Sequence, residues 1–267
     1  MQTTFSNYRP SLKNGKQYIK YFFYFREYLI QGDFKSIFNS FQWVIRNKLP
    51  RKDYQLTSKM GRFIARKQTT DFQFPNFAYE SEVKKYIKNN LNSFDLFIDV
   101  GACMGEYCIW LANSGKEVIA FEPISFSALE NNAELNNIKD KIVIFPVGCG
   151  RKSEKVNFNI PSSLISSSHI DRKTKEGKSV EIVTLDQYLG YIPQDKKILL
   201  KLDVEGMECE VIEGGKNFIS QHNNIQIIYE HFKSDNFRND NALLQCGDFS
   251  FENLDEVNRL AIKKFNS

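Results

Sequence analysis

Between residues 17 and 49, apolar positions recur at spacings of three and four. Tyr18, Tyr21, Phe22, Phe25, Tyr28 and Leu29 fall on this beat, with Lys20, Arg26 and Glu27 between them. That period predicts a helix. Gly32-Asp33 interrupts it, residues 34–45 resume it, and Pro50 is a stop signal. Residues 54–80 are mixed, with a strand-like piece at 62–65 and turn chemistry at Phe74-Pro75-Asn76. From Ser81 the rhythm changes. Val83, Tyr86, Ile87 and Leu91 form one face of a helix, and residues 97–100 are a short apolar strand. Residues 106–112 read as helix and 118–121 as strand, and Ser125 is placed to cap a helix reaching Asn136. A strand at 142–147 precedes a polar interval, 150–179, with segments 155–160 and 180–185 able to pair as a hairpin. Residues 198–202 are an apolar strand interrupted by Lys201, and a helix follows from Gly206 towards Ile219, with a weak point at Gly214-Gly215. Strands at 225–229, 249–253 and 259–264 complete the pattern.

Strand and helix alternating at this spacing predict βαβ units, hence an α/β fold with a mostly parallel sheet covered on both faces. The expected organisation is a helical extension at 1–53, a connecting segment and lid candidate at 54–80, and the α/β domain at 81–267.

Composition adds three constraints. No run reaches the ~18 apolar residues of a membrane-spanning helix, and the start, MQTTFSNYRP, lacks the basic-then-apolar order of a secretory signal. Cys103, Cys108, Cys149, Cys209 and Cys246 are odd in number and contain no CxxC pair, against a disulfide framework or a zinc site. These features read as cytoplasmic, with a peripheral place at the inner face of the membrane as a second option. Residues 1–52 hold ten Lys/Arg against Glu27 and Asp33, a net of +8 in a chain of +4, so the remainder carries −4. The basic, aromatic extension could pack on the body or on a second subunit, making a homo-oligomer. It could instead lie through residues 17–49 on an anionic membrane, where lipid-linked glycans are assembled. No nucleic-acid partner is expected, because the basic residues belong to no recognised module and the body is acidic.

The candidate chemistry begins at Phe97-Ile-Asp-Val-Gly-Ala-Cys-Met-Gly105, an apolar strand ending on an acid and then a turn. Ligands of open parallel sheets bind beyond the carboxyl ends of the strands, where strand order reverses. Gly101 lets the chain leave the strand sharply, and Gly105 lets the next helix pack closely on a ligand or on the sheet. Dinucleotide enzymes use G-x-G-x-x-G here. This chain has D-x-G-x-x-x-G, with Cys103 in place of the second glycine, and Asp99 and Glu106 would repel a pyrophosphate. The sulfonium and ammonium groups of S-adenosylmethionine would be attracted. Glu122 ends the next strand, twenty-three residues after Asp99, where an acid can accept hydrogen bonds from ribose hydroxyls.

On FIDVGACMG (97–105), VIAFEP (118–123), ENNAELNN (130–137), VEIVTLD (180–186), LLKLDVEGMECEVIEGG (199–215) and IIYEHF (227–232), the chain resembles the FkbM-type methyltransferases, a class I S-adenosylmethionine-dependent family. The pair V-x-TLD then K-x-DVEG carries most of the specificity. The resemblance implies a Rossmann-like, seven-stranded sheet and O-methylation of a hydroxyl on a sugar, glycan precursor or related metabolite. Its cofactor-binding candidates here are Asp99, Gly101, Ala102, Gly105, Glu122, Pro123, Val147 and Gly148. Two departures stand out: Cys103 where the family usually has Asn, and Cys108 where it often has Thr or Ser.

Methyl transfer to a hydroxyl needs alignment and a base or a metal. The catalytic candidates are Asp203, Glu205, Glu230 and His231, at strand ends facing the turn. Asp203, Glu205 and Glu230 could also hold Mg²⁺. Lys201 is either a neutralising partner of Asp203 or a substrate contact, and Ser162 and Ser163 are candidate hydroxyls for a polar substrate. His231 could equally be a buried or surface residue. Glu208, Glu210 and Glu213 read as solvated acids on the helix that follows. Two rival readings remain: an NAD-dependent oxidoreductase, and a non-catalytic binding or scaffold protein on a methyltransferase fold.

Overall fold

A computed structural model describes residues 15–46, 48–159, 169–170, 178–231 and 236–264. It divides into two compact units, residues 1–81 and 82–267.

In the first unit, α1 (Gly15–Ile30) and α2 (Phe34–Arg46) precede a hairpin of β1 (Tyr54–Ser58) and β2 (Gly61–Ala65). Asp33 closes the break between the helices by capping α2: the Ser36 amide donates to Asp33 Oδ1 at 3.0 Å and the Ser36 hydroxyl to Oδ2 at 2.7 Å. The aromatic period of α1 divides between two faces. Tyr28 is buried and donates to the Phe72 carbonyl, whereas Phe22 and Leu29 are exposed. On α2 the buried residues are Ser36, Ser40 and Trp43.

In the second unit, α3 (Ser81–Asn89) leads into β3 (Leu96–Val100), α4 (Glu106–Asn113), β4 (Glu117–Phe121), α5 (Phe126–Leu135) and β5 (Ile142–Phe145). The short β6 (Gly148–Cys149), β7 (Glu154–Asn159), β8 (His169–Ile170) and β9 (Lys178–Val183) follow. Then come β10 (Ile198–Leu202), α6 (Glu208–Gly214), α7 (Lys216–Gln221), β11 (Ile225–Glu230), α8 (Arg238–Leu244), β12 (Phe249–Asn253) and β13 (Asn258–Lys263). The main sheet has seven strands in the order β12-β13-β11-β10-β3-β4-β5. Only β13 runs against its neighbours. Every residue of β3 and β10 is buried, because these central strands are covered on both faces. Chain order runs outward from β3 to β5 on one side and from β10 to β11 on the other, so the switch point lies between β3 and β10.

The expected hairpin pairs Lys155 with Glu181 and Val156 with Val180, within a separate four-stranded sheet ordered β6-β9-β7-β8. The helix after β10 breaks at Gly215 into α6 and α7. The strand expected at 142–147 stops at Phe145, and α8 was not anticipated. Ser125 occupies the N-cap of α5 without capping it through its side chain. Ser162 and Ser163 lie outside the described residues.

Candidate active site

The turn after β3 is locked between two strand ends. The amides of Gly101 and Ala102 donate to the Phe121 carbonyl at the end of β4, at 2.9 and 3.3 Å. The Asp203 amide, just past β10, donates to the Val100 carbonyl at 3.0 Å. Gly101 has φ +92°, and a Cβ there would stand 1.9 Å from the Asp203 carbonyl oxygen. Gly105 has φ +85°, and its missing Cβ makes room for Leu129 of α5. It therefore serves packing between helices. Cys103 is left-handed at φ +49°, a conformation Asn adopts more readily than most residues. The Cys103 amide donates to Glu122 Oε2 at 2.8 Å, a main-chain contact that survives the change of side chain.

Glu122 organises the mouth of β4. Besides Cys103, the amides of Ile124 and Ser125 donate to its Oε1, both at 2.8 Å, so three backbone N–H groups orient one buried carboxylate. Glu122 thus satisfies the amides entering α5 that an N-cap side chain would otherwise take. Gly148 of β6 pairs with Ile182 of β9, and a Cβ at Gly148 would lie 3.6 Å from Pro123 Cγ. Pro123 and Gly148 are thus neighbours, and Val147 packs half-buried against the core.

Asp99 and Lys201 are register partners on β3 and β10. Asp99 is buried, and the Cys108 thiol donates to its Oδ2 at 3.3 Å. Burial and then Asp99 hold that thiol protonated, well above its usual range. A thiol therefore fills the donor role that Thr or Ser would have at this position. Lys201 is 4% exposed and donates to Asp203 Oδ2 at 2.6 Å, the pairing expected of a neutralising partner. Around this pair stand Glu205, Glu208 and Glu230. Burial, then Asp203 and Glu208, raise the Glu230 carboxyl above the ordinary range. Glu205 is exposed, yet the protein mass around it, and then Asp203 and Glu208, push its carboxyl up to about 7. Glu208 is not a solvated helix acid: it is 2% exposed, and its Oε1 accepts the amides of Val204 and Gly206. The His231 amide donates to the Val257 carbonyl, and its ring lies 5.3 Å from that of Phe237.

The magnesium expectation fails on this donor set. Among the described residues no three His, Cys, Asp or Glu side chains converge to hold a metal ion. Asp203, Glu205 and Glu230 do not converge, and Asp203 bonds Lys201 instead.

Two side chains, Lys84 and Asn132, escaped the sequence reading, which names Glu106 only as an acid beside the turn. Lys84 of α3 is fully buried, with Nζ 5.4 Å from the Tyr107 ring centre, and Lys201 Nζ lies 4.9 Å from the same ring. Burial raises the carboxyl of Glu106, the first residue of α4, while Lys84 and Lys201 oppose the rise. Asn132, inside ENNAELNN, donates to the Met104 carbonyl at 2.9 Å and braces the turn from α5. The one available signal for Lys84 was its place three residues before Ile87, on the apolar side of its helix.

These raised carboxyls predict a pH dependence. The folded state keeps protons on Glu106 and Glu230 that the unfolded chain has lost, so stability declines as pH rises beyond the ordinary carboxylate range. Urea unfolding should show a loss of about 1 kcal/mol or more between about pH 5 and 8, and a shallower loss in Glu230→Gln. An identical slope in that variant would remove Glu230 from the account.

A cleft of about 570 Å³ lies elsewhere, on the sheet face that carries Ile98, Ile119 and Val143, beside Tyr188 and Tyr191. Asp99, Glu122 and Asp203 do not line it.

The sheet order and the glycine turn at its switch point define a Rossmann-like, class I methyltransferase architecture. The chain belongs to the methyltransferase FkbM domain family, whose model matches residues 99–259. Over 142 residues it is 26% identical to Methyltransferase 1 of Beauveria bassiana, covering 44% of this chain and 57% of the fungal protein, less than two thirds of the latter. Over 174 residues it is 22% identical to the hexuronic acid methyltransferase AglP of Haloferax volcanii, covering 63% of this chain and 70% of that protein. Among solved structures, methyltransferase FkbM from Methylobacillus flagellatus aligns with a TM-score of 0.46 at 20% identity, over 64% of this chain and 44% of that one.

Proposed function

We propose that this protein is an S-adenosylmethionine-dependent O-methyltransferase acting on a hydroxyl of a sugar, glycan precursor or related metabolite. The observation that carries the reading is the pair of buried carboxylates, Asp99 and Glu122, at adjacent strand ends around the locked turn. Charge bears on the fit. Asp99, Glu106, Asp203 and Glu230 interact with Lys201, and Lys84 acts on Glu106, so acids outnumber the two lysines in this region. A cationic ligand suits that excess and a pyrophosphate does not. Family membership favours methyl transfer, and the hexuronic acid named for the archaeal relative favours a sugar acceptor.

When bound, S-adenosylmethionine supplies a methyl group on a positively charged sulfur. Glu122 would hold the ribose hydroxyls, its carboxylate already oriented by three amides. Transfer to a hydroxyl would require a residue of this chain to take up the hydroxyl proton. Glu205 is the base in this reading: its carboxyl sits at about 7, matched to proton transfer near neutrality, and it is exposed to an incoming acceptor. Asp203, anchored by Lys201, positions the loop that carries Glu205.

Thermal shift with S-adenosylhomocysteine and with NAD is the first test. S-adenosylhomocysteine should raise the melting temperature by several degrees, and NAD should leave it unchanged; the reverse would favour an oxidoreductase. Methyl transfer from the cofactor to uronic-acid glycosides then tests the acceptor class. Binding without turnover on any hydroxyl would point to a non-catalytic role.

A further inference from the structure

The two N-terminal helices have their apolar residues on the wrong side for a protein standing alone in water. Nine of the fourteen large apolar side chains exposed among the described residues lie on α1 and α2. On α2, Phe34, Phe38, Phe41 and Ile45 follow one another at spacings of four, three and four, and each is 52% or more exposed. The inward side of the same helix carries Ser36, Ser40 and Trp43. On α1, Phe22, Phe23, Leu29 and Ile30 are exposed, with the exposed Arg26 among them. At 100° per residue these α1 positions span a continuous arc of about 120°.

Charge decides what covers this face. Arg26, Lys35, Arg46, Lys48, Arg51 and Lys52 are all exposed. The two acids of the segment are withdrawn: Glu27 is buried and accepts the Phe77 amide at 2.7 Å, and Asp33 caps α2. Among the described side chains of these helices, the exposed charges are therefore basic. A second copy placed on the stripe would set two such basic surfaces against each other. An anionic lipid surface complements both features, taking the phenylalanines into the acyl boundary and the basic groups at the headgroups. Arg26, within the α1 stripe, has a stem long enough to lay along apolar surface with its guanidinium at the headgroups. No helix among the described residues is long and apolar enough to cross a membrane, so the contact is with the surface.

We propose that α1 and α2 dock this protein on anionic membranes, with the Phe34–Phe38–Phe41–Ile45 stripe inserted in the interface. The full chain should co-sediment with phosphatidylglycerol-rich vesicles and much less with pure phosphatidylcholine, and high salt should release it. Arg46→Gln with Lys48→Gln should weaken vesicle binding by about 30-fold. Phe38→Ser with Phe41→Ser should weaken it by about 10-fold or more, and their exposure leaves the circular dichroism and melting temperature unchanged. No sedimentation with anionic vesicles overturns the proposal, as does equal binding to neutral ones. A concentration-dependent dimer that the Phe38/Phe41 variant abolishes, with no vesicle binding, would assign the face to a second copy instead.

Discussion

Gly101→Ala should lower stability by about 4 kcal/mol and abolish cofactor binding. Two costs combine at this position. The backbone has φ +92°, where a side chain is strained, and the new Cβ would meet the Asp203 carbonyl oxygen at 1.9 Å and its carbon at 2.9 Å. Neither contact is with a flexible side chain, so the end of β10 must move. That movement would disturb the Asp203 amide bond to Val100 and the Lys201–Asp203 pair. Gly115→Ala separates the two costs. Gly115 has φ +84° with nothing within 4 Å of a Cβ, so only the backbone strain remains, about 1 kcal/mol. Urea titration of both variants makes the comparison. Equal losses would mean that the approach of β3 to β10 is not what requires a glycine at 101.

Glu122→Gln should reduce affinity for S-adenosylhomocysteine by about 100-fold and lower stability by about 2 kcal/mol. The carboxylate accepts amides on both oxygens, from Cys103 on one and from Ile124 and Ser125 on the other. An amide side chain presents an acceptor to only one of those groups and turns an NH₂ towards the other. Alanine would strand all three amides, so glutamine is the more informative change. Asp99→Asn removes the other charge and should weaken the same ligand by about 10-fold, because Lys201, its register partner, then faces one acid fewer. Calorimetry reads both variants directly. Wild-type affinity in the two would mean that the cofactor does not sit at the β3 and β4 ends, and the proposed function would lose its site.

The vesicle experiment is independent of these results. The helices it probes belong to the first unit, and the carboxylates belong to the second. Failure of one would leave the other standing.

Much of the second unit was legible along the chain because its signals are local. The largely apolar β3 and β10, the alternation of strand and helix, and the acids Asp99 and Glu122 at strand ends can each be read within a few residues. The break at Gly215 and the β7–β9 pairing were visible for the same reason. The N-terminal period marked two helices, but a helix aromatic on several sides does not announce which side is buried. Tyr28 lies inward, with the Phe72 carbonyl to receive its hydroxyl, and Phe22 lies outward.

What the order of residues dictated was the α/β architecture, the position of the turn and the acidic character of its rim, all consequences of short-range periodicity and charge. Tertiary packing alone set the partners. Lys84 arrives from α3 to meet Tyr107, Asn132 arrives from α5 to hold Met104, Glu208 folds back on the loop before it, and the three carboxylates foreseen as a metal site do not converge. Such contacts depend on which side chains a buried cluster of charges must satisfy once water is excluded, and that requirement exists only after distant segments have come together.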